Sequence, residues 1–306
     1  MSDADEVLLE EYEQEEDLAD QELDEEERPR APEQPIVTAD DAMTLQEARL
    51  LSGRRGARLV LLMGEPRTGK NTLTATLWQR FLEADGLAGH RLAGSRTARG
   101  FERRAQWARQ EARQPEAHFP VTRIEDGGLL HLRVRRGDGA RVELLLSDLG
   151  GEQFERVREG RPLLEELPWA ARVDRFAVVV DATALAVPGA SEIAVTRARR
   201  QLLALRTPTL VRDTARLAVV ITKSDALNRA GEDALARHEP VLLSLARELD
   251  PEALTIRTAA LGPDGADLQG LGDLLSWLCS DDRPQAPIEM PDFELGGARS
   301  IAAFRA

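Results

Sequence analysis

The 306-residue sequence predicts an α/β fold: a mostly parallel sheet with one antiparallel strand and with helices on both faces. Short apolar runs alternate with longer helical patterns, and this alternation indicates repeated strand–helix units. Two of the runs, residues 129–136 and 141–148, flank Gly137-Asp138-Gly139, and Asp-Gly is a strong hairpin signal. The hairpin supplies the antiparallel strand, and the repeated units supply the parallel ones.

The predicted elements follow one another over residues 38–280. The first is a helix over 38–53, with its cap at Thr38, Asp40 or Asp41 and a glycine beyond its end. Further strands are predicted at 57–64, 175–182, 216–225 and 253–260, and further helices at 71–86, 191–206, 232–250 and 270–279.

The charge of the chain is concentrated in its first residues. Residues 1–35 hold 16 acidic and two basic side chains, which account for the whole formal charge of −14. We interpret 1–37 as an acidic disordered tail with a proline-rich linker, and 281–306 as a C-terminal tail. The acidic tail is either a solubilising segment or a cover for the basic stretch described below.

Cysteine content and hydropathy exclude several classes of protein. A lone Cys279 excludes a disulfide framework or a cysteine metal cluster and fits a reducing cytoplasm. No apolar run approaches the roughly 20 residues that a membrane-spanning helix needs. The expected location is therefore cytoplasmic.

The stretch "GEPRTGKNTL" (64–73) lies between a predicted strand and a predicted helix. Its glycines allow backbone N–H groups to surround a phosphate, and the helix N-terminus adds partial positive charge. The strand–loop–helix context makes this a phosphate-binding loop rather than a chance match. Its candidate nucleotide contacts are Gly64, Glu65, Pro66, Arg67, Thr68, Gly69, Lys70, Asn71 and Thr72.

Three further polar segments follow predicted strands. They are Ser147 to Glu152, Thr222-Lys223-Ser224-Asp225, and Thr258-Ala259-Ala260. Ligands of open α/β sheets bind beyond the carboxyl ends of the strands, so we expect these segments and the phosphate loop to share one edge.

Together these segments resemble those of Ras-like GTPases of the translation-factor-related class, over residues 57–280. The long spacing between the phosphate-binding loop and the Ser147 to Glu152 segment, together with the "GSRTARGFERR" and "SDLGGE" stretches, resembles that of bacterial double-GTPase-type proteins. The resemblance implies a regulatory molecular switch that binds GDP or GTP with Mg²⁺ and, when active, hydrolyses GTP. It also implies a protein effector or a companion GTPase as partner.

The resemblance also implies roles for the switch residues. Asp148 would hold Mg²⁺ through water, Gly151 would contact the γ-phosphate, and Glu152 would position the attacking water. Thr122 is the candidate first-switch threonine, with Thr97 as its rival. The implied catalytic set is Lys70, Thr122, Gly151 and Glu152, and the implied metal ligands are Asn71, Thr122 and Asp148.

Thr222, Lys223 and Asp225 match the guanine-recognition motif of these proteins. By that resemblance, the Asp225 carboxylate accepts two hydrogen bonds from guanine, and the Lys223 stem packs on the ring. The backbone N–H groups of Thr258, Ala259 and Ala260 would meet the O6 atom of guanine.

Asn71 departs from the pattern, which has Ser or Thr as a Mg²⁺ ligand. Thr72 cannot replace that hydroxyl, because the next helical residue is rotated by about 100°. Asn71 therefore predicts a GDP-preferring form with impaired hydrolysis, either as an introduced replacement or as a natural variation. A catalytically inert, nucleotide-bound scaffold is the alternative.

Residues 86–119 are an insertion relative to a minimal Ras-like GTPase and contain seven arginines. We expect an exposed, partly helical extension of the first switch that binds a protein partner. Nucleic acid is disfavoured, because residues 36–306 carry no net positive charge.

Overall fold

The computed structural model describes residues 36–38, 40–83, 86–113, 128–147, 149, 167–206, 215–259 and 270–280. The strands in these ranges are β1 (Ile36–Val37), β2 (Arg58–Met63), β3 (Arg91–Ser95), β4 (Leu129–Arg135), β5 (Arg141–Ser147), β6 (Arg175–Asp181), β7 (Arg216–Thr222) and β8 (Leu254–Arg257). The helices are α1 (Leu45–Arg55), α2 (Lys70–Glu83), α3 (Ala98–Arg113), α4 (Ala182–Ala186), α5 (Ala190–Ala204), α6 (Arg229–Arg247) and α7 (Leu271–Cys279).

All these strands belong to one sheet, in the order β1-β3-β4-β5-β2-β6-β7-β8. Strand β4 runs antiparallel to both of its neighbours, β3 and β5, and the other adjacent pairs are parallel. The prediction of a mostly parallel sheet with one antiparallel strand is therefore confirmed. The predicted hairpin is the β4–β5 pair.

Side chains alternate across the sheet and meet helices on both faces, as predicted. Val60 and Leu62 of β2 lie in a core shared with α2, α3 and α7. Leu61 and Met63 point the other way, into a core shared with α5 and α6. Both faces of the central strands are thus buried, which explains their continuous apolar sequences.

The first helix begins later than the sequence suggested. Thr44 is its N-cap, rather than Thr38, Asp40 or Asp41. The Glu47 carboxylate accepts the Thr44 N–H at 2.6 Å, and the Glu47 N–H donates to Thr44 Oγ1 at 3.3 Å. This reciprocal capping box satisfies N–H groups at the start of the helix, and so sets its first residue.

The basic insertion is partly a piece of the sheet and its core. Strand β3 pairs with β4, and Phe101 of α3 is buried and stacks on Trp78 of α2 with ring centroids 5.1 Å apart. Arg104 on the same helix is only 3% exposed. The expected helix is present as α3, but one of its faces is buried rather than exposed, because that apolar face packs on α2. Residues 114–119 lie outside the described ranges.

Helix α7 is held at its C-terminal end by arginines from the sheet. Arg58 donates to Leu278 O at 3.0 Å, and Arg175 donates to Ser280 O at 2.7 Å. The buried Arg175 guanidinium also lies over the Trp277 ring, 5.6 Å from its centroid. Positive charge at this end complements the helix dipole and the last carbonyl groups. No helix in the described ranges has the length and hydropathy needed to cross a membrane.

Candidate nucleotide-binding site

A tight loop between β2 and α2 forms the first part of the site. A Cβ added at Gly64 would lie 2.8 Å from Thr68 Oγ1 and 2.9 Å from Val179 O, so only glycine fits there. Gly69 has a φ of 92°, which side-chain-bearing residues rarely adopt. The loop therefore turns sharply and can present backbone groups on its inner surface, as a phosphate cradle requires.

Lys70, the first residue of α2, is buried against this loop. Its Nζ donates hydrogen bonds to Gly64 O at 2.6 Å and to Glu65 O at 3.0 Å. The first turn of α2 adds backbone N–H groups that have no acceptor within the helix, together with the positive end of the helix dipole. This combination suits a phosphate group.

The segment predicted to recognise the base, Thr222 to Asp225, is anchored directly on the phosphate loop; it is called the base-recognition segment below. Thr222 Oγ1 is 2.6 Å from Thr68 O and 3.2 Å from Val180 O, so its single proton can serve either carbonyl. Lys223 Nζ donates to Arg67 O at 2.9 Å. These contacts join residues that are more than 150 positions apart in the chain. The predicted convergence of the two segments at one sheet edge is thus present in the structure.

The third segment joins the same edge. Ser224 Oγ donates to Thr258 O at 3.0 Å, and the Thr258 N–H donates to Ile221 O at 2.7 Å. Ala259 is buried beside them, whereas the Asp225 side chain is exposed to solvent. An exposed carboxylate held on an anchored turn is available to a ligand.

Asp181 belongs to this edge, although it is not among the residues predicted from the sequence. Its Oδ2 accepts from Lys223 Nζ at 2.7 Å, while its Oδ1 accepts from the Thr183 N–H at 2.8 Å. A signal for it is present in the sequence, because Asp181 ends a buried apolar strand as the predicted segments do.

Glu65 has an unexpected environment for a phosphate-loop residue. Its carboxylate is buried, 3.6 Å from the Arg197 guanidinium and 3.5 Å from the Gln201 amide, both on α5. An acidic side chain near a phosphate site would repel the ligand unless its charge were compensated. The Arg197 guanidinium supplies that compensation and links the loop to α5.

Of the two candidate first-switch threonines, the structure describes Thr97 but not Thr122. Thr97 is fully buried, and its Oγ1 accepts the His131 N–H at 2.8 Å, so it serves the β3–β4 connection. Thr122 lies outside the described ranges, and its selection remains a prediction. The same holds for Asp148, Gly151, Glu152 and Ala260.

A buried polar cluster lies beside Thr97, between β3, β4 and β5. His131 Nε2 is 2.6 Å from Glu143 Oε2, and Arg133 Nε donates to Glu143 Oε1 at 2.6 Å. Burial lowers the pKa of His131 below its usual value. Burial alone would raise the pKa of Glu143, but the hydrogen bonds and charges of His131 and Arg133 lower it to about 2.

The metal-binding part of the prediction is only partly covered by the described residues. Asn71 lies in the first turn of α2 with an exposed side chain, next to the phosphate loop. Within the described ranges, no group of three or more His, Cys, Asp or Glu side chains could hold a metal ion. A Mg²⁺ ion held mainly by nucleotide phosphates, with one or two protein ligands, is compatible with that donor set.

Comparison with known protein families assigns the sequence that forms this site to one family. The sequence model of the Double-GTPase 2 family matches residues 58–278. Comparison with curated proteins gave no match.

Similar solved structures include elongation factor SelB from Methanococcus maripaludis with the GTP analogue GPPNHP, at TM-score 0.38 and 16% identity, over 72% of this chain and 33% of that chain. They also include a variant of SsGBP, at TM-score 0.40 and 12% identity, over 78% of this chain and 64% of that chain. Sup35 complexed with GDP gives a TM-score of 0.33 and 16% identity, over 72% of this chain and 43% of that chain. The chain therefore spans between about a third and two thirds of the length of these structures.

The family match covers more than half of the chain, from the start of β2 to the penultimate residue of α7. It includes the phosphate loop and the base-recognition segment. The chain belongs to the Double-GTPase 2 family of P-loop GTPases, and membership implies a guanine nucleotide as its ligand.

Proposed function

We propose that this chain is a regulatory switch that binds guanine nucleotides and prefers GDP. The observation that carries the proposal is the anchoring of the base-recognition segment on the phosphate loop through Thr222 and Lys223. This anchoring fixes the distance between a phosphate site and a base site in one rigid unit. A nucleoside diphosphate, with a base at one end and phosphates at the other, fits such a unit.

Guanine is the proposed base because of Asp225. Its carboxylate is exposed on the turn that Ser224 ties to Thr258. A carboxylate presents two acceptor oxygens, which match the adjacent N1–H and amino donors of guanine. Adenine lacks that pair of donors, so a pairing with adenine would leave the carboxylate poorly satisfied.

The experiment is a titration of Asp225→Asn with GDP. We expect the substitution to weaken GDP binding by at least roughly tenfold, because one of the two carboxylate oxygens that accept from guanine is replaced by an NH₂ donor. Asp233→Asn is the matched control, since this exposed aspartate lies on α6 rather than on the turn that carries Asp225. Equal affinity of the unaltered chain for GDP and ADP would contradict the proposed base specificity.

The preference for GDP is proposed from Asn71. A bound Mg²⁺ would screen the β- and γ-phosphates, and Asn71, Asp148 and Thr122 are the residues proposed to hold it. The Asn71 amide carries its oxygen on a longer side chain than Ser or Thr does, and its NH₂ group would be repelled by the cation. GTP binding depends more on the metal than GDP binding does. Asn71 should therefore lower the affinity for GTP more than the affinity for GDP.

Replacing Asn71 tests this part of the proposal. We expect Asn71→Thr to raise the affinity for GTP, to make that affinity depend on Mg²⁺, and to restore GTP hydrolysis. Asn71→Ala removes the amide without adding a hydroxyl, and it should give none of these gains. Identical GTP affinity and turnover in the unaltered chain and in Asn71→Thr would show that Asn71 is not the limiting residue.

A non-hydrolysing scaffold is the second candidate function, and Asn71 also favours it. A scaffold would keep its nucleotide through purification, and Asn71→Thr would still not turn over GTP. In either case we propose a protein partner, either an effector or a companion GTPase. The outer side of α3 offers exposed Arg99 and Arg109 for such a contact.

A further inference from the structure

Asp181 connects three parts of the proposed nucleotide site. It is the last residue of β6 and the N-cap of the short helix α4. Its two carboxylate oxygens have separate partners, since Oδ1 accepts from Thr183 N and Oγ1 whereas Oδ2 accepts from Lys223 Nζ. Only 16% of its side chain is exposed, so the ion pair with Lys223 is partly shielded from water.

The Lys223 side chain is held at its far end. Its ammonium group donates to Asp181 Oδ2 at 2.7 Å and to Arg67 O at 2.9 Å. Its backbone has a φ of 58°, in the left-handed region, which directs the side chain back over the phosphate loop. The side chain is nonetheless 41% exposed. With the ammonium group tied down, the methylene stem can form an apolar surface beside Asp225.

We propose that Asp181 is a positioning residue that clamps Lys223 across the phosphate loop, so that the Lys223 stem forms a preorganised platform for the base. This proposal rests on the proposed binding of guanine nucleotides. A flexible lysine would lose side-chain entropy each time a nucleotide bound, and the clamp removes part of that cost in advance. The main effect should be on how long the nucleotide stays bound.

The clamp also predicts how little Lys223 contributes to binding of the nucleotide phosphates. Because its charge is matched by Asp181, Lys223 should contribute to binding through its stem rather than through attraction to the polyphosphate. Loss of the clamp should therefore weaken GMP and GDP by similar factors. A lysine acting as a charge on the phosphates would instead affect GDP more strongly than GMP.

A double-mutant cycle on the full chain tests the clamp, with release of a fluorescent GDP analogue as the readout. We expect Asp181→Asn to speed release about fivefold, a modest factor because the pair is partly exposed. In a Lys223→Ala background, where the clamp has no target, Asp181→Asn should add nothing. Asp181→Ser should match Asp181→Asn, because serine keeps a good cap on α4 but cannot pair with the lysine.

The outcomes separate the clamp from other roles. Release at the unaltered rate in Asp181→Asn overturns the clamp, and so does an equal acceleration with and without Lys223. Normal release in Asp181→Ser, which keeps the α4 cap but cannot pair with the lysine, would also overturn the clamp. If the unaltered chain binds no GDP, the proposed function fails together with the clamp, whereas the other results leave that function standing.

Discussion

Gly64 shows how closely one residue is constrained at the start of the site. The carbonyl of Val179, on the neighbouring strand β6, occupies the space that a side chain would need. A backbone atom in a central strand cannot move aside as a flexible side chain can. The path of the phosphate loop is therefore fixed by the sheet as well as by its own sequence.

Gly64→Ala is expected to reduce the free energy of unfolding by about 1–3 kcal/mol, because the added methyl group is overpacked against Val179 O and Thr68 Oγ1. Chemical denaturation measures this change. Gly53→Ala is the matched control: it lies in α1 with no atom within 4 Å of the added Cβ. There alanine should stabilise by up to about 1 kcal/mol. Equal effects at the two positions would contradict the steric explanation.

At the residue scale, the sequence located segments best where the signal was local. The phosphate loop and Thr222-Lys223-Ser224-Asp225 are contiguous patterns, and the structure places them together at one sheet edge. The position of Asp181 at the end of a buried apolar strand is visible in the sequence, but its contact with Lys223, 42 positions away, is not. Assigning chemical roles to these residues requires the nucleotide-binding experiments on Asp225, Asn71 and Asp181.

At the scale of the elements, strands β3, β4 and β5 enclose polar groups that the proposed nucleotide site does not use. His131 Nδ1 accepts the Arg96 N–H at 3.0 Å, while Nε2 faces Glu143. This pattern is met by a neutral ring that carries its proton on Nε2. The cluster thus depends on one protonation state of His131.

Stability should fall as the pH drops below 6.5, the usual pKa of histidine, because the folded chain disfavours the proton that the unfolded chain accepts. Glu143, whose pKa is lowered to about 2, adds a second loss of stability. This loss begins as the pH falls below 4.5, the ordinary pKa of the group, and continues down to its lowered pKa. Denaturation at a series of pH values should show both losses. His131→Gln should remove the first loss and reduce the second, because His131 is one of the groups that lower the pKa of Glu143.

His238→Gln on α6 is the control, because His238 lies outside the cluster. If His131→Gln kept the same decline below pH 6.5 as the unaltered chain, the decline would have another origin.

Element predictions followed the strength of the apolar signal. The strands that are buried on both faces, such as β6 and β7, are continuous apolar runs, and both begin at the predicted residue; β6 ends one residue and β7 three residues before the predicted end. Strand β3 was missed because Arg91 to Ser95 is short and contains alanine and glycine, which have little strand preference. It forms through pairing with β4, which is tertiary information.

At the scale of the whole molecule, the loops of the proposed site are tied to many elements at once. The phosphate loop contacts β6, α5, the end of β7 and the turn after it. A nucleotide that bridges the phosphate and base loops would therefore stabilise the folded chain rather than one segment. Ligand binding to the native state raises stability by mass action.

GDP at a hundredfold excess over its dissociation constant should stabilise the chain by about 2.7 kcal/mol. For a domain of this size, that corresponds to a rise in Tm of roughly 5–10 °C. Thermal denaturation with GDP and with ADP measures the difference, and ADP at the same concentration should give little shift. The same rise with both nucleotides would argue against recognition of the guanine base.

Trp78 gives the chain an optical reporter of its own. It lies on α2, the helix that begins at Lys70, and its indole Nε1 donates to Glu102 at 2.6 Å while its ring stacks on Phe101. Indole emission responds to the polarity and the ring contacts around it. A ligand that draws the start of α2 toward its phosphates would shift the far end of the helix against α3. Intrinsic fluorescence could then follow nucleotide exchange in real time, with no label attached.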